Sequence, residues 1–361
     1  MPGKTGTTLR SAALGASRRR PGVAAGLGVA ALLAGQAVVD ARRVRRDPAR
    51  ALLADPPEGR KVDVRGTDGT RLHVDVLGPE DAPTVVLVHG WTCRREFWAP
   101  QLNALADRYR LVTYDQRGHG RSERPRGGDF TPEALGDDLE AVLRATVGDG
   151  RRAVLVGHSL GAMSIVSWAG RYRATVRDRA AAALLLSTGM KDLITESLIL
   201  KPPAGLSKPA AALAARGMAA PVPYGFRTPL THRIVRYVAL SPSATPAQVS
   251  FCERIVLGAE RRGRAATART LSTLDLESAI EHLAVPTAVL SGTADRLTPP
   301  VLAERLAARL PQLVERVVLP GIGHMTPVEV PLEVNGRIET MVRDHLPEHA
   351  PLGASVSPIS R

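Results

Sequence analysis

Short apolar runs, each too brief to be a helix, constrain this chain more than any other feature. Thr84–Val88, Arg110–Tyr114, Ala153–Val156, Ala182–Leu186 and Thr287–Leu290 are strand-length and show little polar alternation. Strands of that kind are buried on both faces, as in a parallel sheet held between helices. The intervening chain supplies such helices. Pro132–Thr146 carries helical spacing through Leu135, Leu139, Val142 and Leu143, and a second helix is expected from about Leu160 to Arg171. Nearer the start, Val62–Arg65 and Leu72–Val76 flank the turn-like Thr67-Asp68-Gly69. After Leu290 come a helix around Val301–Leu310, a strand at Glu315–Leu319 and a closing helix near Leu332–His345. This alternation predicts an α/β fold with right-handed crossovers and a mostly parallel sheet flanked by helices.

The alternation stops over residues 191–279, which hold helical and Pro-rich pieces but no comparable strand run. That stretch is expected to be a helical cap inserted into one core domain, built from residues 51–190 and 280–346. Residues 1–50 and 347–361 read as tails. With 361 residues and 44% hydrophobic content, the chain can bury one large core and an inserted subdomain. The cap segment contains Leu198-Ile199-Leu200, Leu213, Met218, Tyr224, Phe226 and Phe251. These suit either an apolar pocket for an acyl or alcohol chain or the cap's own core.

A formal net charge of +13 would suit a nucleic-acid partner if it were spread over the folded part. Residues 1–50 hold ten Lys/Arg against two Asp, a net of +8, which leaves +5 for the rest. Aromatic residues make up only 3%, so the basic–aromatic interleaving that stacks bases is missing. No nucleic-acid partner is expected. The basic tail reads instead as solvated or as flanking a membrane. Between Arg18-Arg19-Arg20 and Arg42-Arg43-Val44-Arg45-Arg46 lies the uncharged stretch Pro21–Val39, about long enough to cross a bilayer as a helix. Three readings stay open: a single membrane anchor, a cleaved secretory signal ending near Gly35-Gln36-Ala37, or a helix lying against the membrane or the catalytic domain. The expected location is therefore membrane-associated or secreted, with the cytoplasm as the third option. Cys93 and Cys252 are too few for a disulfide framework and read as small buried residues, not nucleophiles.

The chemistry centres on Gly157-His158-Ser159-Leu160-Gly161, which follows one apolar strand and opens an apolar helix. A serine on such a strand–turn–helix corner projects its hydroxyl above the carboxyl edge of the sheet. Serine is a poor nucleophile by itself and needs a base held by a third group. The late strands supply both, in Gly292-Thr293-Ala294-Asp295 and Gly321-Ile322-Gly323-His324. Asp295 also suits a helix cap before Thr298-Pro299-Pro300, and Asp192 is a rival acid. Val88-His89-Gly90-Trp91 ends the first long strand. There the backbone amide of Trp91, with that of Leu160, is expected to form an oxyanion hole. The indoles of Trp91 and Trp98 themselves read as packing.

Leu87-Val88-His89-Gly90-Trp91, Tyr114-Asp115-Gln116-Arg117-Gly118-His119-Gly120-Arg121-Ser122, Gly157–Gly161, Gly292–Asp295 and Gly323-His324 together resemble the α/β-hydrolase superfamily. The likeness covers about 60–190 and 280–346. It implies an eight-stranded, mostly parallel sheet with a helical cap after the sixth strand. It also implies that Asp115–Ser122 is a structural loop, which keeps Asp115, Arg117 and His119 out of the catalytic set. Ser159 stands where haloalkane dehalogenases and epoxide hydrolases use a nucleophilic Asp, so those branches are disfavoured. The short loop after His89-Gly90 likewise departs from the longer glycine run of hormone-sensitive-lipase-like enzymes.

The expected activity is two-step acyl transfer from a small or apolar carboxylic ester, with Ser159 as nucleophile, His324 as base and Asp295 as orienting acid. No organic cofactor is called for, and no His/Cys/Asp cluster has metal-site spacing. Two alternatives share these residues: a perhydrolase or haloperoxidase-like enzyme, and a C–C bond hydrolase. A membrane-tethered binding protein of the same fold is the alternative from another class.

Overall fold

The computed structural model describes residues 41–199, 216–222 and 224–346, with positions 3, 35, 36, 39 and 213 besides. Most of the uncharged stretch 21–39, Leu200 and the tail 347–361 lie outside the described residues. Among those described, no helix is long and apolar enough to cross a membrane.

Eight strands form one sheet. They are β1 (Arg60–Arg65), β2 (Arg71–Leu77), β3 (Thr84–Val88) and β4 (Arg110–Tyr114), then β5 (Ala153–His158), β6 (Ala180–Leu186), β7 (Thr287–Gly292) and β8 (Leu313–Leu319). Their order is β1-β2-β4-β3-β5-β6-β7-β8. Only β2 runs against its neighbours; every pair from β4 to β8 is parallel. Helices α1 (Ala99–Leu105), α2 (Pro132–Thr146) and α3 (Leu160–Arg171) follow β3, β4 and β5. The insertion between β6 and β7 is helical: α4 (Pro229–Ala239), α5 (Pro246–Leu257) and α6 (Arg261–Thr273). Thr228 and Thr245 start α4 and α5 with reciprocal capping boxes, each followed by a proline in the first turn. The chain closes with α7 (Pro300–Ala307) and α8 (Pro331–His345).

Successive side chains of a strand point to opposite faces, and the inner strands bury both sets. In β3, Val86 and Val88 join the core under α2, α3 and α7, while Val85 and Leu87 join the core under α1 and α8. The second core extends into the insertion through Val235 of α4 and Phe251 of α5. From β3 the chain steps to β4 on one side, then returns past β3 to β5 on the other. Open α/β sheets place their sites at the carboxyl ends of the strands beside such a reversal. Here that crevice lies between the ends of β3 and β5.

Candidate active site

Ser159 sits immediately after β5 with φ 52° and ψ −116°. Non-glycine residues rarely adopt such a backbone, at a cost on the order of 1–3 kcal/mol. Surrounding bonds impose it. Ser159 N donates to Leu186 O, and Ser159 O accepts from Ala162 N, Met163 N and Thr188 Oγ1. The turn is also crowded. A Cβ on Gly161 would lie 2.0 Å from Val88 O, and one on Gly90 would lie 3.2 Å from Ser159 Cβ and 2.7 Å from His158 Nδ1. Gly161→Ala must therefore push the loop after β3 away from the turn. It is expected to destabilise the protein by about 2–3 kcal/mol, read as a lowered midpoint in thermal unfolding.

The loop after β3 is held by a neutral histidine. Gln116 N donates to His89 Nε2 at 3.0 Å, so Nδ1 carries the proton and donates to Gly90 O at 2.8 Å. Complete burial lowers the His89 pKa to about 3, which keeps this arrangement uncharged at ordinary pH. Gln116 in turn donates to His89 O and accepts from Ser164 Oγ of α3 at 2.7 Å. One polar chain thus joins the helix behind Ser159 to the loop carrying Trp91. The amides of Trp91 and Leu160 donate to no other described residue. Thr92, next to Trp91, has φ 62°, an outlier for a β-branched residue. The Trp91 indole donates to Arg264 O in α6, and Trp98 is fully buried.

Asp295 and His324 leave the ends of β7 and β8 and meet. Asp295 Oδ2 accepts from His324 Nδ1 at 2.9 Å and from Thr298 Oγ1 at 2.8 Å. Its Oδ1 accepts from the amides of Leu297 and Thr298. Asp295 thus closes the turn at Leu297–Thr298 and grips the histidine, but it is not the helix cap expected from the sequence: α7 has Pro299 at its N-cap and no side-chain cap bond. Asp192, the rival, is an exposed residue 3.9 Å from Arg305, outside the cavity lining. The backbone of His324 is pinned on every side. Its amide donates to Ala239 O, and its carbonyl accepts from His158 Nε2 at 2.9 Å. The half-buried Glu329 carboxylate accepts from the amides of Gly323, Met325 and Ser241, bracketing the histidine and tying it to the end of α4. Burial raises the Glu329 pKa and drives that of His158 well below its ordinary value.

Ser159, His324 and Trp91 line one cavity of about 560 Å³ beneath the insertion. Ser159 Oγ and His324 Nε2 make no hydrogen bond to each other or to another described residue. The lining is almost wholly apolar. Met163, Ile199, Met218, Ile234, Val238 and Leu297 contribute, and no Lys, Arg, Asp or Glu does so among the described residues. Of the apolar residues singled out in the cap sequence, Ile199, Met218 and Tyr224 line the cavity and Phe251 is core. Phe226 belongs to neither and is exposed.

The residues that the sequence kept out of the catalytic set are engaged elsewhere. Arg117 makes a bidentate pair with Asp138 at 2.6 and 2.7 Å, and Asp115 accepts from the amides of Arg95 and Arg121. His119 bonds to Arg117 O. Cys93 and Cys252 are buried, and burial pushes the Cys93 thiol up to about 12. Sequence reasoning passed over His158, Thr298 and Glu329. His158 fills the variable place of the serine pentapeptide, and Glu329 follows His324 by five residues; neither spacing carries a local signal of its role.

Residues 85–337 match the sequence model of the alpha/beta hydrolase family. Among curated proteins, the chain is 27% identical to a bifunctional esterase/perhydrolase of Acinetobacter calcoaceticus, over 76% of this chain and 97% of that one. It is 27% identical to 3-oxoadipate enol-lactonase 1 of Acinetobacter baylyi, over 66% of this chain and 80% of the relative. Among solved structures, a thermophilic esterase from Thermogutta terrifontis superposes with a TM-score of 0.61 at 26% identity, covering 82% of this chain and all of that one. The sheet order, the strand-end site and these likenesses agree: the chain belongs to the α/β hydrolase family and is an enzyme of that class.

Proposed function

We propose that this chain is a serine hydrolase that cleaves uncharged, apolar carboxylic esters through an acyl-enzyme at Ser159. The observation that carries this reading is the buried Asp295–His324 pair opening onto the same apolar cavity as the strained Ser159 turn. Asp295 holds the imidazole proton on Nδ1, which leaves the Nε2 lone pair as the base. Ser159 Oγ attacks the ester carbonyl carbon while His324 Nε2 takes the hydroxyl proton. The amides of Trp91 and Leu160 donate to the resulting oxyanion. As the intermediate collapses, the C–O bond breaks and the leaving alkoxide takes the proton from His324. Water then attacks the acyl-enzyme by the same steps, releasing the acid and restoring Ser159.

A fluorophosphonate probe, which reacts with activated serines, tests this directly. The wild type is expected to label and Ser159→Ala is not. A folded wild-type protein that stays unlabelled would favour a binding protein of the same fold. The esterase/perhydrolase relative makes hydrogen peroxide the alternative acyl acceptor to assay, since it could replace water in the second step.

The lining also sets a charge preference. A substrate carboxylate drawn into this cavity would lose water and meet no cation among the described lining residues. Esters bearing a free carboxylate on the acyl chain are expected to show kcat/KM lower than their uncharged counterparts by on the order of 100-fold. Comparing a monomethyl and a dimethyl diester of one dicarboxylic acid gives the ratio.

A further inference from the structure

Helix α4 has two apolar edges; the cavity takes in one of them and only Ile234 of the other. Thr231, Val235, Val238 and Ala239 face the cavity. Leu230, Ile234 and Tyr237 fall within one sector of about 60° on the helix, and they are 65%, 51% and 51% exposed. Ile234 also lines the cavity, so stripe and cavity meet there. Phe226, just before the helix, is 89% exposed, and Thr231 Oγ1 bonds to its carbonyl. Arg233 projects on the flank of the stripe away from the cavity, while Arg236 is turned further round the helix and donates to Pro242 O. Arg296 lies over the Tyr237 ring at 4.6 Å and donates to Tyr237 O. Exposed phenyl, leucyl and isoleucyl groups beside a cavity mouth are costly to leave in water unless something covers them.

Charge identifies what covers them. Residues 216–252 contain four Arg and not one Asp or Glu, and of the four Arg227 is paired with Glu253 at 3.3 Å. The segment leading in from the basic N-terminal stretch meets the insertion at the start of α5, where Asp47 Oδ2 accepts from Ala247 N. A second copy of the chain is a poor fit, because a self-complementary contact would set these cationic faces against each other. An amphipathic helix with an apolar stripe, Arg233 on its flank and no carboxylates matches an anionic bilayer surface. We propose that the outer edge of α4, with Phe226, docks on anionic phospholipid and presents the cavity mouth to the membrane interface.

Flotation of the full chain with phospholipid vesicles tests this and needs no turnover. The wild type is expected to float with vesicles of phosphatidylcholine plus phosphatidylglycerol, and not with phosphatidylcholine alone. Phe226→Ser combined with Leu230→Ser, neither of which lines the cavity, is expected to lower the partition coefficient about tenfold. Arg233→Glu is expected to lower it about fivefold. Circular dichroism and turnover of a short soluble ester should match wild type in both. Three results would overturn the proposal. The wild type could fail to float with anionic vesicles. The double variant could float as well as wild type, assigning binding to the basic N-terminal stretch. Or light scattering could show a wild-type dimer that the double variant splits, assigning the face to a second copy.

Discussion

Ser159→Ala, His324→Ala and the double variant are all expected to lose nearly the same factor in kcat on a soluble ester, about a millionfold. The equality follows from the proposed mechanism. The hydroxyl is reactive only while the imidazole takes its proton, so removing either partner removes the whole covalent route. What remains is catalysis by the cavity and the amide donors, which neither substitution touches. The local structure supports a clean experiment. The turn at Ser159 is held by backbone bonds to Leu186, Ala162, Met163 and Thr188, none of which uses the serine hydroxyl. The loop at His324 is held through its backbone by Ala239, His158 and Glu329. KM and the thermal midpoint are therefore expected to stay near wild type. A double variant losing far more than either single change would show that the two side chains do not act as one unit.

The inner sheet was legible in the sequence because a strand buried on both faces must be apolar almost throughout. Thr84–Val88 and Arg110–Tyr114 are strands over those same residues, while β5 runs on to His158 and β6 begins at Ala180. The edge strand β8 was harder. It is half exposed, so only its inward residues carry the signal, and the strand starts two residues before the expected Glu315. The triad candidates were legible for a related reason: each follows a strand end through glycines that let backbones approach closely. The supports around them were not. Glu329 gains its place only because the end of α4 lies against the histidine loop, bringing Ser241 N within reach. His158 donates to His324 O across 166 residues of chain. Contacts between an insertion and the sheet below leave no periodic trace in either segment. The same reason hid the cavity wall, since Ile234 and Val238 read in sequence as ordinary positions of an amphipathic helix.

The choice of acid gives the second large effect. Asp295→Asn is expected to lower kcat about ten-thousandfold, while Asp192→Asn stays within about twofold of wild type, as surface changes away from the site do. The difference lies in the proton inventory of the two sites. Asp295 is fully buried and accepts four hydrogen bonds: two at Oδ1 from Leu297 N and Thr298 N, and two at Oδ2 from Thr298 Oγ1 and His324 Nδ1. An asparagine there must keep its oxygen toward the two backbone amides, which have no other acceptor. Its NH2 group then faces His324 Nδ1 as a donor, so Nδ1 must become the acceptor and the imidazole proton moves to Nε2. That tautomer cannot take a proton from Ser159. The fold should tolerate the change, because the amide fits the same space and keeps the turn at Leu297 capped. Asp192 has no such hold on the histidine: its side chain is 49% exposed beside Arg305. Loss of activity in Asp192→Asn with retention in Asp295→Asn would reverse the assignment. Retention in both would mean that the imidazole is oriented by another group, for which Thr298 Oγ1, 3.2 Å from Nδ1, is the nearest candidate.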